Sequence, residues 1–196
     1  MDNHLYAMLF SEDLVSYVLK KNGINWNARN ASTGQHPLTN QSLKDRNRFT
    51  PEIGEAVFDI MIEQLERIQV SYAGMIRKGI TSIDEFRYEL AISSIMYLKK
   101  GYHEYSYLKL CALFIGVVQC YFKIDSDLGR TFASCVALML SYIVNFSIYK
   151  NMFAPFKDWF RLAIVAQCIR RKIAQDRMYR NSTEHFSETE EQETAL

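Results

Sequence analysis

Residues 131 to 149 form a run without a single charge, and it follows a second run, Tyr105 to Phe122, whose only full charge is Lys109. A short polar turn, Lys123-Ile-Asp-Ser-Asp-Leu-Gly-Arg130, joins them. Helices this apolar need a greasy surrounding on every side, supplied by lipid or by other helices of the same chain. The remaining sequence offers enough amphipathic helix to wrap such a hairpin. The pattern therefore predicts an all-α bundle with the apolar hairpin at its centre.

At 196 residues the chain is long enough for one well-buried core and too short for two independent ones. A net charge of +1 gives no electrostatic footprint for a nucleic-acid partner. Cys111, Cys120, Cys135 and Cys168 all fall in apolar helical stretches without paired spacing, which predicts reduced, buried thiols in a reducing compartment. The N-terminus carries Asp2, Glu12 and Asp13 and no basic leader pattern, so a signal peptide is not expected and Asn30-Ala-Ser and Asn181-Ser-Thr read as chance sequons.

Helix punctuation is plain along the chain, and strand punctuation is not. Ser11 reads as an N-cap, Glu12 and Asp13 as first-turn acids, Lys20 and Lys21 as last-turn bases, and Asn22-Gly23 as a left-handed stop. Residues 28–50 are polar and aperiodic, which predicts a flexible loop. Thr50-Pro51-Glu52 opens the next helix. Val57, Met61, Leu65, Ile68, Tyr72 and Ile76 then form one apolar stripe on a long helix, with a break expected near Gly74 and an end at Lys78-Gly79. Ser82-Ile-Asp-Glu85 is a capping box for a helix that closes at Lys99-Lys100-Gly101. After the hairpin, Pro155 marks a further start. The segment to Arg180 is amphipathic and basic, reading as a solvated face with a possible peripheral contact to membrane headgroups. The reading gives seven or eight helices, a single domain over 1–180, and an acidic, disordered tail over 181–196.

Three segments resemble the homology regions of the B-cell lymphoma-2 family of apoptosis regulators. Leu14-Val-Ser-Tyr-Val-Leu-Lys-Lys-Asn-Gly-Ile-Asn-Trp26 is similar to the fourth region, with its Leu-Ser-Tyr, Leu and Gly-x-x-Trp pattern. Glu104-Tyr-Ser-Tyr-Leu-Lys-Leu-Cys-Ala-Leu-Phe-Ile-Gly116 is similar to the first, with Tyr105 in the Trp place and Phe114 and Gly116 matching directly. Pro155-Phe-Lys-Asp-Trp-Phe-Arg-Leu162 resembles the second, with Phe156 and Trp159 as its aromatics. The order of parts matches across most of the chain.

The departures shape what the resemblance implies. Tyr107 stands where the family has an arginine that receives a ligand acid, and it forms no charge-assisted pair. Leu65-Glu-Arg-Ile-Gln-Val70 keeps the Leu of the third region but loses its Gly-Asp, while Met61, Leu65, Ile68 and Tyr72 remain available to pack inward. A groove-presenting, anti-apoptotic role fits this pattern better than a killer role. The implied partners are pro-apoptotic proteins, of the Bax and Bak kind or carrying only the third region, whose amphipathic BH3-type helix folds into a hydrophobic groove. The implied groove walls are Tyr72, Ile76, Ile80, Ile83 and Phe86 on one side and Tyr97, Leu98, Tyr105, Tyr107, Leu110 and Phe114 on the other. Arg87, Lys100 and Lys109 stand in for the missing arginine. The implied location is the cytoplasm, with association to the mitochondrial outer membrane and no transmembrane anchor in this chain.

His4, His36, His103 and His185 are scattered, and no Gly-rich phosphate loop, Ser/His/Asp order or Cys/His constellation stands out. No enzyme activity, metal, cofactor or small-molecule substrate is expected. Two other functions stay open: a membrane-inserting protein that turns its hairpin outward, and a helical adaptor working through its acidic tail or its Thr194-Ala-Leu196 carboxylate.

Overall fold

The computed structural model describes residues 2–28, 48–98, 103–149 and 159–193. Among the described residues it is all-α, with seven helices and no strand: α1 Asp2–Lys21, α2 Pro51–Glu63, α3 Leu65–Arg77, α4 Ile83–Leu98, α5 Glu104–Phe122, α6 Ser126–Tyr149 and α7 Trp159–Glu193. The 28–50 loop falls mostly outside this set, as do Lys99-Lys100-Gly101, Pro155 and Phe156.

α5 is the centre of the bundle, in contact with every other helix described. Its residues from Leu110 to Val118 are buried in unbroken succession, the signature of a helix enclosed all round. α6 is the second apolar helix but lies at the side, against α1, α4 and α5, with Tyr142 and the start of the helix exposed. Glu104–Phe122 and Ser126–Asn145 are long and apolar enough to cross a membrane, yet 67% and 56% of their apolar windows are buried inside the bundle.

Local signals explain most boundaries. Gly23 and Gly79 both take positive φ, 76° and 69°, where a side chain would be strained. At both, the residue after the glycine closes a six-residue loop: Ile24 N–H donates to Leu19 O at 3.0 Å and Ile80 N–H to Met75 O at 3.2 Å. Ser82 accepts from the Glu85 amide at 3.3 Å and its hydroxyl donates to the Glu85 carboxylate at 2.8 Å, so the capping box forms with the acid meeting the serine side chain.

Three boundaries differ from the sequence reading. α1 begins at Asp2, with Ser11 buried in its middle, because Ala7 and Phe10 bury fully and carry the helix upstream of its local cap signal. The break in the long stripe lies at Gln64, whose φ of −107° and ψ of 18° leave the helical region, and Gly74 is simply helical. This turn swings Leu65 outward to 56% exposure, whereas Met61 and Ile68 pack inward. Helical backbone also continues through 181–193, where the acidic composition predicts disorder. Adding a residue to an existing helix costs far less than nucleating one, and Glu and Gln are good helix formers.

The basic face of α7 is not simply solvated. α2 carries Glu55, Asp59 and Glu63 four residues apart, hence on one face. Arg170 pairs with Asp59 at 3.2 Å, Arg177 with Glu63 at 3.0 Å and Arg180 with Glu63 at 3.3 Å. At the other end of α7, Arg161 reaches the buried Glu104 at 2.9 Å. Each exposed pair contributes little alone, but a ladder holds an orientation. Because such pairs are screened within about 3 Å at about 1 M salt, the amides of α7 are expected to exchange faster at 1 M than at 0.05 M sodium chloride while those of α5 stay protected. Hydrogen exchange read by mass spectrometry checks this; equal rates in α7 at both salts would show that packing alone docks it.

Glu55 also ties α2 to α1. It accepts from Tyr17 Oη at 2.6 Å and from Lys21 Nζ at 2.6 Å. The Lys21 and Tyr17 bonds hold its carboxyl below the usual glutamate range, and the Glu55 bond, aided by burial, pushes the Tyr17 phenol up from 10.0 to about 12. The carboxylate's contribution to stability is complete above the ordinary glutamate pKa and is lost as pH falls through the lowered value. The phenol's is complete below its ordinary pKa and is lost as pH rises through about 12. Glu55→Gln is therefore expected to flatten both the acid and the alkaline limbs of a plot of denaturation midpoint against pH; a change in neither limb would contradict the assignment.

Candidate partner-binding site

α4 is apolar on two opposite faces. Phe86, Leu90 and Ser94, four residues apart, face the core, and the Ser94 hydroxyl is satisfied by donating to Leu90 O at 2.8 Å. Phe86 stacks on Phe132 at 3.9 Å between ring centroids, and Tyr121 meets both edge-on at 5.9 and 4.8 Å. Tyr72 meets the edge of Tyr121 at 5.1 Å, and the Tyr121 hydroxyl donates to Ile80 O at 3.3 Å, so this aromatic cluster clamps α3, α4, α5 and α6 together.

The other face of α4 carries Tyr88, Ile92, Ile95 and Met96, exposed by 66, 37, 69 and 71%. Ile92 lies four residues after Tyr88, and Ile95 and Met96 lie three and four after Ile92, which makes one continuous stripe. From Leu90 to Leu98 the helix has no charge at all. A helix apolar all round belongs in a core, yet nothing in the described chain covers this side.

The stripe has distinct ends. α3 and α4 run antiparallel, bridged near their turn by the Lys78–Glu89 ion pair and at the far end by the Arg67 guanidinium 4.5 Å above the Tyr97 ring. Beside Tyr88 lies a depression of about 430 Å³ lined by Lys78, Ile80, Asp84, Glu85 and Glu89. Its lysine is engaged by Glu89 and Asp84 by Arg87, so Glu85 is the acid left over and this end is negative.

The positions implied by the resemblance do not form one groove. Ile80, Phe86, Tyr107, Leu110 and Phe114 are 0–4% exposed and belong to the core, a correction to their reading as groove walls. Apolar periodicity marks a face as covered without saying whether the chain or a partner covers it. Tyr107, in the place of the family's arginine, is sealed inside with its hydroxyl against the Cys111 thiol one turn on. Ile76 and Ile83 are exposed on the α3–α4 hairpin, and Tyr72, Tyr97 and Leu98 are partly buried there. Burial pushes the Tyr72 and Tyr97 phenols up.

Of the three basic substitutes, Arg87 pairs with Asp84 at 3.3 Å and Lys100 lies outside the described residues. Lys109 sits 4.1 Å above the ring of Tyr105, itself 46% exposed, and both line a separate cavity between α2, α5 and α7. The thiols are free, but Cys168 is exposed, against the expectation that all four are buried. Burial pushes the Cys111 thiol up strongly, so it is inert.

The sequence reading missed Tyr88, Ile92, Ile95 and Met96. Their signal was present as a second apolar set interleaved with Phe86, Leu90 and Tyr97, which together leave α4 without a polar face over its last nine residues. Comparison with family models, with curated proteins and with solved structures finds no match to this chain.

Proposed function

We propose that this chain is an interaction protein of the B-cell lymphoma-2 type, not an enzyme, that restrains apoptosis by capturing the amphipathic helix of pro-apoptotic partners. The observation that carries the reading is the uncovered apolar stripe on α4, on the hairpin that flanks an enclosed central helix. A partner helix laid along it offers apolar anchors at i, i+4 and i+7, matching Tyr88, Ile92 and Ile95 with Met96. The negative end beside Tyr88 favours a basic residue on the partner, one turn beyond its last anchor. Ordering such a segment costs about 2–5 kcal/mol, which several apolar anchors must exceed. The proposed place of action is the cytoplasm at the mitochondrial outer membrane.

The test uses Ile92→Glu and Met96→Glu in fluorescence anisotropy with helical peptides of that pattern. Both positions face outward, so the bundle keeps its circular dichroism and melting temperature while affinity falls at least about tenfold per charge placed in the contact. Asp84→Lys should weaken only peptides with the basic end. Unchanged affinity in the two glutamate variants would place the partner elsewhere.

The two apolar helices favour a second reading, insertion of the opened hairpin into a membrane. It predicts dye leakage from anionic liposomes, and a protein that causes none acts through its surface.

A further inference from the structure

The cavity between α2, α5 and α7 has no role in capturing a partner helix on α4. It measures about 550 Å³, within the range of about 300–1,000 Å³ typical of small-molecule sites. Ile60, Val165, Ile169, Ile173 and the Tyr105 ring give it apolar walls. It opens to solvent beside Tyr105 and Cys168, both exposed. Here the stretch of α7 that lines the space is pinned on both sides of it, by Arg161 on Glu104 at 2.9 Å and by Arg177 on Glu63 at 3.0 Å, with Arg170 on Asp59 at 3.2 Å between them. Collapse of α7 into the gap would break these pairs, so the cavity is a built feature of the bundle.

Its polar groups converge. Lys109 and Lys172 both line it, and neither has an ion-pair partner among the described residues. Of the two acids present, Glu63 is already held by Arg177 and Arg180, and Asp176 lies one turn beyond Lys172 on α7. The side-chain amide oxygen of Gln64 is buried against the cavity with no donor, a cost that a ligand donor would remove.

We infer that this cavity binds an amphipathic carboxylic acid: the apolar chain or ring lies along Ile60, Ile169 and Ile173, and the carboxylate sits at Lys109. A hydroxyl or amide N–H on the ligand, near its head, would satisfy Gln64. Lys109 already rests on the Tyr105 ring, which positions the ammonium without neutralising it.

The experiment is calorimetric titration of the full chain with dodecanoate below its micellar concentration, with dodecyltrimethylammonium and phosphatidylserine vesicles as comparison arms. Occupancy is read independently as protection of Cys168, the exposed cavity cysteine, from a maleimide, located by mass spectrometry. The expected result is saturable binding at one dodecanoate per chain, slowed labelling of Cys168, and at least about tenfold weaker binding in both Lys109→Met and the cavity-filling Ile169→Trp. Ile92→Glu and Met96→Glu should leave dodecanoate binding unchanged, which separates this site from the α4 stripe. Equal affinity for the cationic amphiphile, binding to vesicles without binding in solution, indifference to both cavity variants, or no saturable heat and no protection would each overturn the inference.

Discussion

Phe132→Ala is expected to lower the unfolding free energy by about 3–5 kcal/mol, a large share of the stability of a domain this size. Phe132 is fully buried on α6 and lies flat on Phe86 of α4, with their ring planes 3° apart and Tyr121 of α5 set edge-on against it. Removing the ring leaves a hole whose walls are two other large aromatics anchored on different helices, so the site has little freedom to collapse. The loss includes both the transferred surface and the cavity that remains. Because α4 reaches the core mainly through Phe86 and Leu90, this substitution should also loosen α4 and so weaken partner binding indirectly. Urea denaturation of the two proteins measures the first effect. A change under about 1 kcal/mol would show that the aromatic cluster is not the clamp described.

Gly116→Ala is expected to cost about 1–3 kcal/mol by overpacking. Gly116 lies in the buried run of α5, and a Cβ added there would stand 2.5 Å from Ile68 Cδ1 and 3.0 Å from both Ile68 Cγ1 and Cγ2. Ile68 is itself 1% exposed and branched at Cβ, so it has no empty direction in which to turn. The strain therefore passes to α3, which must move off α5. The pairing is specific: Ile68→Ala should make the Gly116→Ala change nearly neutral, although it carries its own cavity cost. A double-mutant cycle isolates this coupling, and additive effects of the two changes would contradict the close approach. The physical role of Gly116 is to let a neighbouring helix lie against the central one.

Most of the architecture is legible in the sequence because its signals are local or strong. Asn22-Gly23, Thr50-Pro51, Lys78-Gly79 and Ser82 to Glu85 each carry backbone chemistry that fixes a boundary regardless of what surrounds it. The uncharged runs announce the apolar hairpin through composition alone, although only α5 is enclosed and α6 lies at the side. What is not legible depends on partners. Ser11 has a cap's chemistry, but burial of Ala7 and Phe10 overrides it. Gly74 costs a helix only about 1 kcal/mol, so the chain turns instead at Gln64, where α2 and α3 part to follow different neighbours.

The same limit governs the site. Phe86, Leu110 and Phe114 have the side chains of a binding surface, yet the chain covers them itself. Tyr88, Ile92, Ile95 and Met96 have the side chains of a core and are left uncovered. Period alone does not separate these cases when one helix is apolar on both sides. The ladder from Glu55, Asp59 and Glu63 to α7 is different, since the spacing of four residues on α2 was there to be matched with the basic face of α7.

In the proposed function, the outer face of α4 captures an amphipathic helix. Calorimetric titration of the full chain with peptides of the third homology region of pro-apoptotic proteins tests it most directly, with controls carrying glutamate at an apolar anchor. The expected result is one-to-one, submicromolar binding to some peptides, lost in the anchor controls and in Ile92→Glu. No heat at high micromolar concentration with any peptide, or binding that Ile92→Glu leaves intact, would contradict it.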